Sequence, residues 1–242
     1  MIWIIGGTSE TRQFLEQLPK NLNKIITVTT EEGKKAIAFF DVPVHVAQMD
    51  EIAMRQFIES NRISKIVDLS HPYAVEVSKN ADTVAQKLNL PYFRYVRSKT
   101  ELITGQQFGS IAVCANFLKT ISGTVFFTTG IKSIPDFEPI KGKNRFIYRI
   151  LPSLTSFKAI ESLNIDLQNI VAMHGPFSIE MNIALFRQFK TDYVVMKNAG
   201  KTGGTDEKIQ ACSQTGAKPL MIDRPNENGF TSLKKLQDAV LE

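Results

Sequence analysis

The chain has 242 residues, 43% hydrophobic and 22% charged, with a formal net charge of +5. That composition supports a sizeable buried core and excludes a disordered chain. No apolar run reaches the roughly 20 residues of a membrane span, and the basic residues are scattered except in "KGKNR" at 141–145, which argues against a nucleic-acid surface.

The first apolar stretch ends at Gly6, too short for a signal peptide, so a soluble cytoplasmic protein is expected. Mild basicity suits a small anionic ligand. Cys114 and Cys212 stand far apart in apolar, helix-like stretches and read as buried fillers in a reducing compartment.

The chain opens as strand, turn and helix: an apolar run at 1–5, then Gly6-Gly7, then Thr8-Ser9-Glu10-Thr11-Arg12. Glycine allows positive φ and close backbone approach, and the exposed N–H groups of a helix start attract phosphate. Gly6, Gly7 and Thr8 are therefore candidates for holding a cofactor phosphate, with Arg12 one turn on able to fork onto it. The turn has two glycines where the dinucleotide fingerprint has three.

A second strand is expected at 24–29. An NAD site usually ends this strand with an acid for the ribose 2′-hydroxyl. Here Thr29 and Thr30 occupy the place and Lys34 and Lys35 follow, which favours NADP, with Glu31 and Glu32 counting against it.

Strands are expected next at 43–47, 64–69 and 92–96. "DLSHPYA" (68–74) ends the fourth strand and offers His71 to the crevice outside the sheet. A plain helix-starting role for His71 stands beside that reading, with Pro72 suited to a first helical position. Ala74, Val77, Ala81, Val84, Ala85 and Leu88 then recur at helical spacing. The polar, aperiodic stretch 97–109 separates the two halves.

Beyond it, strands are expected at 124–129, 145–151, 169–173, 192–197 and 218–223. Leu233, Leu236 and Val240 mark a terminal helix. The fold class is thus α/β: two Rossmann-like domains with parallel sheets, residues 1–98 and 99–242, with a cleft between them.

Three further strand-to-helix turns in the second half could meet an anion. "TTGIKS" (128–133) carries Thr129, Gly130 and Lys132. "HGPFSIEMN" (174–182) carries Gly175, Pro176 and Ser178. "VMKNAGKTGGTDEK" (195–208) carries Lys197, Lys201, Gly203, Gly204 and Lys208, without the spacing of a Walker A loop. The last turn echoes the first, since Gly203-Gly204-Thr205-Asp206-Glu207 parallels Gly6-Gly7-Thr8-Ser9-Glu10.

No Gly-x-Ser-x-Gly elbow is present, and His45, His71 and His174 are scattered, so neither a serine nucleophile nor a metal site is expected. A nicotinamide cofactor needs no protein nucleophile.

In order along the chain, these motifs resemble those of the precorrin-6A reductase family of cobalamin biosynthesis. "GGTSETR" is similar to GGT-x-E-A-R, "DLSHPYA" to D-A-T-H-P-F/Y-A, and "TTGIKS" to T-G-x-K. "RILP" (149–152) is similar to R-x-L-P, and "HGPFSIEMN" to G-P-F-S-x-E-x-N. "KNAGKTGGTDEK" and "DRP" (223–225) resemble the closing K-x-S-G-x-x-G-G-x-x-x-K and R-P.

The resemblance implies an NADPH-dependent reductase acting on precorrin-6A or its cobalt form, a polycarboxylate macrocycle. Other enzymes of the pathway are further candidate partners. The cofactor-binding candidates are then Gly6, Gly7, Thr8, Glu10, Arg12, Thr29, Gly130, Gly175, Pro176, Gly203, Gly204 and Lys208. His71, Lys132 and Lys197 are the candidates for orienting substrate or supplying a proton. Asn198-Ala199 departs from the family's usual Asp-Ser, which leaves a non-catalytic nucleotide- or tetrapyrrole-binding protein as the alternative reading.

Overall fold

A computed structural model of the chain describes residues 1–200, 203–224 and 227–242. It divides into two compact units. Unit 1 is Met1–Arg97 with the end of the chain, and unit 2 starts at Ser98.

Unit 1 holds β1 (Ile2–Ile5), α1 (Ser9–Gln17), β2 (Lys24–Val28), α2 (Glu31–Lys35), β3 (Val44–Val46), α3 (Glu51–Ser60), β4 (Lys65–Asp68), α4 (Val75–Lys87) and β5 (Tyr92–Arg94). All pairings are parallel, in the order β3-β2-β1-β4-β5. The continuous apolar run of β1 is buried throughout, as a central parallel strand covered on both faces requires. On one face Ile4 and Ile26 pack with Phe14, Leu15 and Leu18 of the α1 region. On the other, Trp3, Ile5 and Ile66 pack with Met54 and Ile58 of α3 and with Ala81, Val84 and Ala85 of α4. The helical stripe after Pro72 thus faces the sheet.

Unit 2 holds β6 (Gln106–Phe108), α5 (Ile111–Leu118), β7 (Thr124–Phe127), α6 (Ile134–Phe137), β8 (Arg145–Ile150), α7 (Leu154–Ser162), β9 (Ile170–Ala172), α8 (Ile179–Gln188), β10 (Tyr193–Lys197), α9 (Thr205–Thr215) and β11 (Lys218–Ile222). Its strands are also parallel, in the order β6-β11-β10-β7-β8-β9. Phe127, Phe137, Phe146 and Tyr148 form an aromatic core on one face of this sheet. Phe126 and Phe186 fill the other, under α8 and α9.

Two features differ from the sequence expectation. β6 lies inside the polar stretch read as a separator: it is an edge strand with Gln106 and Gln107 exposed and only Phe108 buried, so it carries no apolar run. The end of the chain, read as part of 99–242, belongs to unit 1. There α10 (Leu233–Leu241) buries Leu236 and Val240 in the core with Phe14 and Leu15. Phe230 extends the β5 edge by exchanging backbone hydrogen bonds with Arg94 and Val96. Gly229 makes that approach possible, since a Cβ there would lie 2.4 Å from the Arg94 carbonyl oxygen.

In both sheets the chain reverses its direction of travel across the sheet. The reversal falls between β1 and β4 in unit 1 and between β7 and β10 in unit 2. The carboxyl ends of those strands are where doubly wound sheets take ligands.

Candidate functional site

The turn after β1 gives its two glycines different tasks. A Cβ on Gly6 would lie 2.8 Å from Thr11 Cγ2 and 3.2 Å from Ile26 Cγ2, so Gly6 lets α1 close onto the sheet. Gly7 has φ +106° and nothing within 4 Å of the place a Cβ would take. Its backbone is bent in a way L-residues avoid, and the space above it is open. That is the cradle a phosphate needs.

The Thr8 hydroxyl donates to the Leu69 carbonyl at 2.8 Å, and its N–H donates to Thr11 Oγ1 at 3.3 Å. Thr8 therefore ties the β1 turn to the end of β4. Glu10 is buried and accepts from Arg97 Nη2 at 2.6 Å. Burial alone would raise its carboxyl, but the hydrogen bond and charge of Arg97 outweigh this and hold it below the ordinary glutamate value.

Arg12 lies exposed along α1, 3.0 Å from Glu16 and with its guanidinium 4.9 Å from the centre of the Phe39 ring. Thr29 is exposed after β2, while Thr30 caps α2 by accepting from the Gly33 N–H at 3.0 Å.

At the end of β4 a buried network fixes the turn before His71. Arg94 Nη1 donates to Asp68 Oδ1 at 3.0 Å, to the Ser70 carbonyl at 2.9 Å and to Ser70 Oγ at 3.1 Å. Its Nη2 reaches Glu227 at 3.3 Å, and the Tyr92 hydroxyl donates to Asp68 Oδ2 at 2.7 Å. Burial and the Asp68 charge raise the Tyr92 pKa. His71 itself is exposed on this rigid base, its Nδ1 accepting from the Tyr73 N–H at 3.2 Å. Sequence reading missed Arg94 and Tyr92. The available signal was a charge inside the apolar run "YFRYV".

In unit 2, alternation along β10 puts Lys197 on the same sheet face as Tyr193 and Val195. Lys132 follows β7, the neighbouring strand, in the turn begun by Gly130 at φ +79°. Ser133 Oγ donates to Thr129 Oγ1 at 2.6 Å and holds that turn. Burial and then the Lys132 charge lower the Lys197 pKa, while Asp136 works against them.

Asn198 is wholly buried. It accepts from the Thr100 N–H at 3.0 Å and donates to the Thr100 carbonyl at 2.9 Å. An aspartate could make only the first of these bonds, so the departure from the family pattern has a structural basis.

The opposite sheet face carries Arg149 and Lys208. Arg149 donates to Asn182 Oδ1 at 2.9 Å and lies 3.9 Å from the centre of the Phe177 ring. Asn182 in turn donates to the Ser178 carbonyl at 2.8 Å, which fixes the Gly175-Pro176 turn. Lys208 Nζ donates to the Gly203 carbonyl at 3.1 Å, and Gly204, at φ +67°, starts α9.

Lys201 and Pro225, both in sequence motifs, lie outside the described residues. Burial pushes both cysteine thiols up to about 12, which leaves them unreactive. Tyr95/Lys99 and Tyr193/Lys197 have the Tyr-x-x-x-Lys spacing of some NAD(P) enzymes, but neither pair lies on a helix. Among the described residues no group of three His, Cys, Asp or Glu could hold a metal ion, and no helix is long and apolar enough to cross a membrane.

Two doubly wound parallel sheets, each with a glycine turn at its switch point, define an α/β protein of the dinucleotide-binding architecture. The family described as Precorrin-6x reductase CbiJ/CobK matches residues 1–241, and the chain belongs to that family.

A cobalt-precorrin-6A reductase of Priestia megaterium is 31% identical over 248 residues, covering 99% of this chain and 96% of the relative. One of Methanococcus maripaludis is 30% identical over 244 residues, covering 99% and 97%. A solved CobK precorrin-6A reductase superposes with a TM-score of 0.81 at 19% identity, covering 99% of this chain and 95% of that one, and so shares its fold.

Proposed function

We propose that this protein is an NADPH-dependent reductase of precorrin-6A or cobalt-precorrin-6A in cobalamin biosynthesis. Family membership along the whole chain supports the reaction, and the Gly7 cradle is the observation that carries the cofactor. When bound, the dihydronicotinamide supplies a hydride that, with one proton, saturates a double bond of the macrocycle.

The chain's own residues then have definable tasks. The open backbone of Gly7 and the first N–H groups of α1 hold a cofactor phosphate, and Gly6 and Thr8 keep the turn in shape. Arg12 is exposed and near enough in sequence to grip a phosphate by turning from Glu16, a surface pair that costs about 0–1 kcal/mol to break. Exposed Thr29 leaves room for a 2′-phosphate where NAD enzymes place an acid.

In unit 2, Lys132 and Lys197 attract substrate carboxylates. Lys197, with its lowered pKa, is the better of the two as the proton donor. In unit 1, His71, held on the Arg94 network, is the other candidate for orienting substrate or supplying a proton. Glu10 serves by fixing the first turn of α1 through Arg97.

The test is an anaerobic assay with metal-free and cobalt-loaded macrocycle that follows NADPH oxidation, beside fluorescence titrations with NADPH and NADH. Oxidation with one substrate and tighter binding of NADPH are expected. Binding without turnover would favour the alternative of a non-catalytic binding protein. Unchanged NADPH affinity in Arg12→Ala would remove Arg12 from the phosphate site, and unchanged turnover in Lys197→Met would remove its proton-donor role.

A further inference from the structure

Arg149 and Lys208 are both more than nine-tenths buried, on the face of the second sheet covered by α8 and α9. Their partners are neutral: the Asn182 amide oxygen and the Phe177 ring for Arg149, and the Gly203 carbonyl for Lys208. Among the described residues neither cation forms an ion pair.

A guanidinium has five donor hydrogens and an ammonium three, and each group uses one in these bonds. Two desolvated like charges with no ion pair are costly, and proteins keep such groups where a ligand supplies the missing charge. Among the described residues the one neighbouring carboxylate acting on Lys208, that of Glu207, makes no hydrogen bond to it and cannot balance both cations. Burial pushes Arg149 down to about 10. Lys208 is pushed down to about 8 by burial first and then by the Arg149 charge, against the opposing influence of Glu207 and Cys212.

Both residues also lie where doubly wound sheets bind ligands. Arg149 is the penultimate residue of β8, and Lys208 is in the first turns of α9, just past the carboxyl end of β10. Planar guanidinium and compact ammonium together suit one carboxylate or phosphate group.

We infer that Arg149 and Lys208 form a receptor for a single oxyanion of a bound ligand, on the α8–α9 face of the second sheet. The source is a carboxylate of the macrocycle or a phosphate of the dinucleotide, so the choice of ligands rests on the proposed function. The requirement for an anion rests on the protein's own charges. This receptor is separate from Lys197, which alternation along β10 places on the opposite face, and from Lys132, in the turn that follows β7.

The test uses the full chain and the variants Lys208→Met, Lys208→Arg and Arg149→Met. Inorganic phosphate and citrate are first titrated while the thermal midpoint is followed. Both anions should raise the midpoint of the wild type and of Lys208→Arg, and leave Lys208→Met unmoved. Without anion, Lys208→Met should melt at or above the wild-type temperature, because it removes an uncompensated buried charge.

Direct titrations then assign the source. Lys208→Met and Arg149→Met should weaken either NADPH or the macrocycle by about tenfold or more, and the affected ligand names the group bound.

Wild-type protection by phosphate and citrate in both Met variants, with both ligands bound as tightly as before, would overturn the inference. So would a lower midpoint in Lys208→Met with unchanged affinities, since that marks the lysine as structural. A wild-type protein that binds neither NADPH nor macrocycle would defeat the proposed function instead, leaving the phosphate and citrate result to decide the receptor.

Discussion

Two buried cations in each unit, Arg94 and Arg97 in the first and Arg149 and Lys208 in the second, are held in opposite ways. In unit 1, Arg94 meets Asp68 and Glu227, and Arg97 meets Glu10. In unit 2, Arg149 and Lys208 are nearly as deeply buried and hydrogen-bond only to neutral groups. A cation paired with carboxylates holds the backbone in shape with its charge already balanced. One left without a carboxylate destabilises the resting protein and keeps its charge for something that arrives. The first sheet's carboxyl edge therefore presents backbone, at Gly7, while the second presents charge.

The sharpest way to break this contrast is to remove one cation from each unit. Arg94→Met strands Asp68 and Glu227 and should cost about 3–5 kcal/mol in urea unfolding. Lys208→Met should be neutral or stabilising in the same measurement. Equal losses in both would erase the distinction.

Next in size is Glu10→Gln, which should cost about 1.5–3 kcal/mol at neutral pH by weakening a charged hydrogen bond. The folded Glu10 pKa lies below its ordinary 4.5, so the stabilisation is present above that value and is lost as pH falls through the lowered one. Stability measured from pH 7 to 3 should fall more steeply in the wild type than in Glu10→Gln.

Asn198→Asp, which restores the family's usual residue, should cost about 1–3 kcal/mol by leaving the Thr100 carbonyl without its donor. A more stable variant would contradict the Asn198–Thr100 pairing.

The smallest stability effect belongs to Gly7→Ala, about 1–2 kcal/mol for a left-handed backbone, with a larger loss in NADPH affinity as its mark. Gly6→Ala should lose stability through the contact with Thr11. Reversed roles in the two titrations would misplace the cradle.

The ten strands of the sequence reading are found because parallel strands buried on both faces announce themselves as apolar runs, as "IWII" and "TVFF" do. β6 was hidden because an edge strand needs no such run. The glycine turns were legible by position, but the division of labour between Gly6 and Gly7 was not, since it depends on Thr11 and Ile26 folding over one and not the other. Glu10 and Lys208 drew notice as members of motifs. Only packing shows one already paired with Arg97 and the other facing a like charge. Asn198 read as a lost carboxylate until Thr100, nearly a hundred residues away in sequence, supplied both its partners.

The return of α10 to unit 1 bears on how the protein is made. The second unit is an insertion within the first, and Phe14 and Leu15 stay without their Leu236 and Val240 cover until the whole of unit 2 has been synthesised between them. Unit 2 can fold while it waits, as domains do during synthesis. Clipping the final helix would therefore expose the floor of the dinucleotide-type sheet and leave the core nearer to it in sequence intact.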